Sequence, residues 1–181
     1  MSATDTTTLA GTWQLDPIHS RAGFAVKYMA VTTFRSEFKD VAATLDADDD
    51  GSAALTGTVQ VASIDIDNPD FKGHLMADDF FAVETNPTVT FTSSSFAASG
   101  DDVVIAGDLT IKGVTQRVEA AGELSGPTED AMGNTRVAIV VETKVDRTAF
   151  GLNWNAPLPK GGNALANEVK LTLDLAFVKQ A

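Results

Sequence analysis

The side chains able to carry acid–base, nucleophilic or metal chemistry are few and scattered. The chain has no cysteine and two histidines, His19 and His74, far apart in sequence. Without thiols there is no disulfide framework, no thiolate zinc site and no cysteine nucleophile. Neither histidine sits in a His-Glu-x-x-His pattern, and the sequence holds no nucleophile elbow. Two isolated histidines read first as hydrogen-bonded structural groups. Their alternatives are haem ligation by one of them, or His74 as a general base. Asp78 and Asp79 are adjacent, so they face different ways and suit capping or solvation better than paired acid–base work. Arg117 and Arg147 stand near strand ends, where a guanidinium can meet a polar head group in a bidentate contact or serve as a surface ion-pair partner. No catalytic residue, metal ligand or cofactor is expected.

The aromatics say more together than singly. Phe24, Phe71, Phe80, Phe81, Phe91, Phe150 and Trp154 gather around one long segment, Ser63 to Phe96, and around a late loop from Asn153 to Asn163. They suit the lining of a deep apolar cavity, although core packing explains each one alone. The elements that position them alternate with period two. Thr12 to Asp16 is a short strand ended by Pro17, Ser20 to Val31 a half-buried one, and Arg35 to Ala47 the next. Further apolar faces follow at Leu55 to Val61, Val89 to Phe91, Val103 to Ile111, Val118 to Leu124, Val137 to Val145 and Val169 to Phe177. Asp48 to Gly51, Ser99 to Asp102 and Lys112-Gly113 supply turn chemistry between them.

About eight strands with short connections predict an all-β chain, an up-and-down antiparallel barrel rather than a sandwich. One or two short helices are expected between Ser63 and Phe96, around Asp70 to Phe81. Gly57, Gly107, Ala120 and Gly122 fall on inward faces. They either leave space for a slender ligand or mark bulges and barrel corners.

The formal net charge of -12 excludes a phosphate-backbone partner, which needs a basic stripe. It also disfavours anionic lipid surfaces. A hydrophobic content of 44 % over 181 residues fits one globular domain, with no apolar run of transmembrane length. The opening MSATDTTTLAG lacks a basic n-region and an apolar h-region, so the chain is expected in the cytoplasm, with residues 1–11 a flexible leader and 12–179 the domain.

Ordered motifs then tie the chain to a family. TWQLDPIHSRAGFAVKY near the start, HLMADDFF and NPTVTFTSSSF in the middle, GDLTIKGVTQRV and VDRTAFGL later together resemble the YceI-like family from Trp13 to Phe177. Where many members carry an acidic and a basic residue ahead of the central histidine, this chain has Phe71-Lys72-Gly73. The resemblance implies a lipocalin-like barrel around a long channel for an isoprenoid chain, such as a quinone tail or a polyprenyl phosphate. It also implies a non-catalytic carrier, store or stress-related buffer. The channel walls are expected from Phe24, Val26, Val59, Leu75, Phe80, Phe81, Val89, Phe91, Ile105, Leu109, Ile139, Phe150, Leu171 and Leu173. His19, His74, Arg147 and Trp154 are the expected gating or head-group contacts. The expected partner is the lipid alone, without stable membrane insertion, and a homodimer is open as an assembly. The rival readings are an enzyme of a hydrophobic small molecule in the same cavity, a haem or cofactor barrel, and a solid-cored interaction module.

Overall fold

The computed structural model describes residues 9–181. Most of the expected leader, residues 1–8, lies outside the described residues. Its end is packed, since Leu9 is fully buried and Gly11 opens the first strand.

The strands are β1 (Gly11–Leu15), β2 (Arg21–Tyr28), β3 (Thr32–Phe38), β4 (Val41–Ala47), β5 (Ala53–Gln60), β6 (Thr88–Ser99), β7 (Asp102–Ile111), β8 (Val114–Glu129), β9 (Thr135–Asp146) and β10 (Leu165–Lys179). They form one antiparallel sheet in the order β1-β4-β5-β6-β7-β8-β9-β10-β2-β3, and a β1–β10 pairing closes it into a barrel. The ten segments occupy eight positions, because β1 with β2 and β3 with β4 are each one broken stave. Trp13 faces Leu45 below the breaks and Ala22 faces Phe38 above them, while β10 runs past both halves, Phe177 against Leu15 and Leu173 against Ala22. The barrel of about eight strands is therefore present. The single strand read from Arg35 to Ala47 is two segments, because the backbone is diverted at Lys39-Asp40 to bond Ser63: Lys39 N donates to its carbonyl and Asp40 N to its hydroxyl.

Hairpin chemistry behaves as the residues demand. Lys112 and Gly113 both take positive φ, 51° and 74°, which matches the twist of the strands that the two-residue turn joins. The long connection, residues 61–87, carries a 3-10 turn at Val61–Ser63 and one α-helix, α1 (Pro69–Met76). Asn68 caps α1 by accepting the Phe71 N–H, and Pro69 sits at its first turn, where a missing donor costs nothing.

The two halves of the barrel differ. Toward the end that holds the β4–β5, β6–β7 and β8–β9 turns, Trp13, Leu45, Leu55, Leu124, Val137, Ile139 and Phe177 fill the interior. Toward the other end, α1 and the loop after β9 cover a second apolar cluster around Ile64, Leu75, Phe80, Phe150 and Leu152. The inward faces register the change. On β9, Val137, Ile139 and Val141 are buried, whereas Thr143 and Val145, on the same face, are partly accessible. Those two face an open space.

The small inward residues divide the same way. A Cβ on Gly57 would sit in ordinary contact, 3.7 Å from Ala42 O, and both Gly57 and Ala120 line open space. Gly122 and Gly107 instead let backbones approach, since a Cβ there would lie 1.9 Å from Val140 O and 2.3 Å from Thr92 O. Gly107 faces Ser93, at a register shift in β6.

Candidate functional site

The upper half encloses a cavity of about 790 Å³, within the range of ligand pockets. From the expected walls it is lined by Phe24, Val26, Val59, Leu75, Phe80, Phe81, Val89, Phe91, Ile105, Leu109, Phe150, Leu171 and Leu173, with His74, Arg147 and Trp154 at the covered end. No aspartate, glutamate or lysine stands among the described lining residues.

Two expected contacts lie elsewhere. Ile139 points inward as alternation requires, but it is fully buried in the lower core; its β10 neighbour Leu175 and the next inward residue, Val141, line the cavity, which stops above Ile139. His19 is outside the barrel, where its Nδ1 donates to Asp16 at 2.8 Å. Asp16 also accepts from Arg136, whose Nε donates to Asp130 at 2.6 Å. The Arg136 guanidinium and then His19 hold the Asp16 carboxyl well below its usual range. Arg136 and Asn134 do the same for Asp130. His19 belongs to this surface network.

Phe34, Phe38 and Leu152 line the cavity without having been expected there. The signal for the first two was the i, i+2, i+4 spacing Phe34-Ser36-Phe38. A strand read from Arg35 starts three residues after the Thr32 at which β3 begins and so leaves Phe34 out of that pattern.

The cover is built from aromatic contacts. On its far side from β2, β3 pairs with no strand among the described residues; its lower end meets the connection after β5 through a bridge from Phe38 to Ile64 and through Asp65 N, which donates to Glu37 O, so its upper half is an edge. α1 lies over that gap. Phe71 meets Phe34 edge-on at 5.4 Å, Phe81 meets Phe38 at 6.4 Å, and Phe24 packs against both Phe34 and Phe38. Lys112 donates to Asp78 O at 2.8 Å, tying the β7–β8 turn to the chain after α1.

Two polar residues stand among the lining of this apolar space. His74 packs edge-on against Trp154 at 4.8 Å and Phe80 at 5.8 Å, and its Nε2 is buried without a hydrogen-bond partner. Such an atom costs about 1–3 kcal/mol while it stays unpaired. Arg147 is the one buried charged residue among those described, 4 % exposed. Its Nε donates to Ala166 O, one terminal nitrogen to Leu152 O and Trp154 O, and the other to Leu165 O and Asn167 Oδ1. All five donors are thereby used. Desolvation lowers its pKa, opposed by the neighbouring Asp146 charge. Arg147 thus straps the loop after β9 to β10. Asn155 reinforces the strap by accepting the Leu165 N–H and donating to its carbonyl. Acid–base catalysis by His74 would need a carboxylate or other group to orient it, and its ring contacts are aromatic. No cluster of three or more histidine or acidic groups fit to hold a metal occurs among the described residues.

A closed antiparallel barrel, solid at one end and hollow under a helical cover at the other, defines a lipocalin-like class of fold. Within that class the chain belongs to the YceI-like domain family, whose model matches residues 13–177. It is 32 % identical over 168 residues to a UPF0312 protein of Staphylococcus epidermidis, covering 91 % of this chain and 96 % of that one. A UPF0312 protein of Staphylococcus aureus is 31 % identical over 165 residues, covering 90 % and 94 %. BcnA of Burkholderia cenocepacia shares the fold with a TM-score of 0.75 at 24 % identity, covering 90 % of this chain and 98 % of BcnA. A polyisoprenoid binding domain from Saccharophagus degradans, implicated in plant cell wall breakdown, does so with a TM-score of 0.70 at 12 % identity, covering 93 % and 98 %.

Proposed function

We propose that this protein holds one long-chain isoprenoid lipid in its barrel, tail toward the solid half and polar end under α1, as a non-catalytic carrier or buffer. The observation that carries the reading is the cavity of about 790 Å³ whose described lining includes no aspartate, glutamate or lysine. Membership of the YceI-like family and the fold shared with a polyisoprenoid binding domain support it. Such a wall binds a hydrocarbon without directional contacts. Each buried methylene contributes about 0.8 kcal/mol, so affinity grows with the length of chain accommodated.

Organic extraction of the purified protein followed by mass spectrometry tests the proposal. An isoprenoid should co-purify, and a saturating polyprenyl compound should raise the melting temperature. At one hundred times its dissociation constant a ligand adds about 2.7 kcal/mol, or about 5–10 °C for a domain of this size. An extract without isoprenoid, together with an unmoved melting temperature, would sink the carrier reading.

A further inference from the structure

We infer that the β2–β3 turn docks this protein on a zwitterionic bilayer surface, with the adjoining wall of the cavity toward the lipid. The inference rests on the carrier reading and concerns where the guest enters and leaves.

The turn holds apolar side chains out in water at the cavity end. Met29 is 42 % exposed and Val31 83 %, with exposed Ala30 between them and half-exposed Tyr28 before them. Val31 N donates to Tyr28 O, so Met29 and Ala30 are the central residues, and both take positive φ, 53° and 56°. Asn-Gly adopts that conformation freely, whereas larger side chains strain it. Apolar residues therefore stand where relaxed turn chemistry would be polar. Met29 N also donates to Ala164 O, which fastens the turn to the loop after β9. An exposed apolar patch held in place this way marks a contact surface.

The patch is continuous with the cavity. Tyr28 and Thr32, paired at the base of the turn, are exposed and also line the cavity. Phe71 of α1 does both as well, against Phe34 of the same hairpin. A tyrosine with its ring toward the hydrocarbon and its hydroxyl in water suits the headgroup level of a bilayer.

Charge selects the kind of surface. Lys27 and Arg35, beside the turn, are exposed and have no carboxylate partner among the described residues, so they can meet lipid phosphates. Asp67 and Asp70, at the start of α1, keep this end from being basic, which fits a zwitterionic surface better than an anionic one. The exposed Asp48, Asp49, Asp50, Asp101 and Asp102 stand at the β4–β5 and β6–β7 turns of the solid end, away from the lipid.

The test uses the intact protein, phosphatidylcholine vesicles carrying a fluorescent polyprenol, and a variant with Met29→Asn, Ala30→Gly and Val31→Ser. None of the three residues lines the cavity, and Asn-Gly relaxes the turn. The variant should keep or raise the melting temperature and bind polyprenol delivered from detergent as the native protein does. The native protein should float with the vesicles and extract the probe. The variant should bind the vesicles about tenfold more weakly and extract about tenfold more slowly, the yield of burying one aliphatic side chain. A native protein that does not float, or a variant that floats and extracts equally well, overturns the inference alone. So does binding to phosphatidylglycerol vesicles about tenfold tighter than to phosphatidylcholine. A native dimer that the variant dissociates makes the patch an interface between copies, and again only the inference falls. If polyprenol delivered from detergent binds neither protein, the carrier reading falls and the inference with it.

Discussion

Phe71 of α1 stands edge-on to Phe34 of β3, ring centroids 5.4 Å apart and planes at 76°, so the cover is fastened to the part of the barrel that has no strand beside it. An edge-to-face pair contributes about 0.5–1.5 kcal/mol beyond its buried area. Phe71 is itself 39 % exposed, so little of the core depends on it. Phe71→Ala should therefore release a bound fluorescent polyprenyl probe about fivefold faster, with a loss of stability near 1 kcal/mol. Stopped-flow displacement reads the rate, and an unchanged rate would show that α1 does not gate the cavity.

Gly57 and Gly122 provide a paired test of where space is real. Gly57→Leu adds a side chain whose Cβ meets only ordinary contacts and whose remainder enters the cavity. The protein should stay folded while the longest polyprenol it retains becomes shorter, as read by mass spectrometry of the bound fraction. Gly122→Ala puts a Cβ 1.9 Å from Val140 O, where backbone must move. A loss of about 3 kcal/mol, or about 6–12 °C in Tm, is expected. Equal melting temperatures for the two variants would contradict this division.

Replacing Arg147 with methionine leaves the carbonyls of Leu152, Trp154 and Ala166 without that donor. The Leu152 carbonyl is buried and the other two are part-buried, and a stranded buried carbonyl costs about 1–3 kcal/mol, so denaturant unfolding should show a loss of about 2–3 kcal/mol. Arg147→Lys should recover little, because an ammonium lacks the planar fork that reaches several carbonyls at once. A loss below about 1 kcal/mol for Arg147→Met would refute the strap.

Acid should weaken the network outside the barrel in a defined direction. Asp16 and Asp130 both have folded pKa values depressed below the ordinary 3.8, through Arg136 first in each case. A depressed carboxyl stabilises the fold fully above its unfolded value and loses that contribution as pH falls toward the folded one. The Tm difference between the native protein and Arg136→Met should hold steady from pH 7 to about 5 and narrow below about 4. A gap that widens on acidification would reverse the assignment.

The sequence made faces legible and left depth obscure. Alternation put Ile139 on the inward face, where it lies, yet nothing in a period of two says that the interior is solid at Ile139 and hollow from the next inward residue, Val141, onward. That boundary depends on side chains from many strands meeting at one level, including Trp13 and Leu124. Strand breaks were hidden for a related reason: Lys39-Asp40 leaves its stave to bond Ser63, more than twenty residues along the chain. His74 was visible as a residue type, but its orphaned nitrogen emerges only once Trp154 packs against it. Arg147 looked like a surface partner because carbonyl acceptors leave no mark in a sequence.

The packed lower half makes the barrel a blind tube, and a linear guest in a blind tube can move in only one order. For the isoprenoid guest proposed above, the tail is first in and last out. Whatever accepts the guest meets its polar end while the tail still lies along Leu171 and Leu173. Hand-over can then begin with donor and acceptor both gripping the same molecule, and the hydrocarbon need never pass free through water.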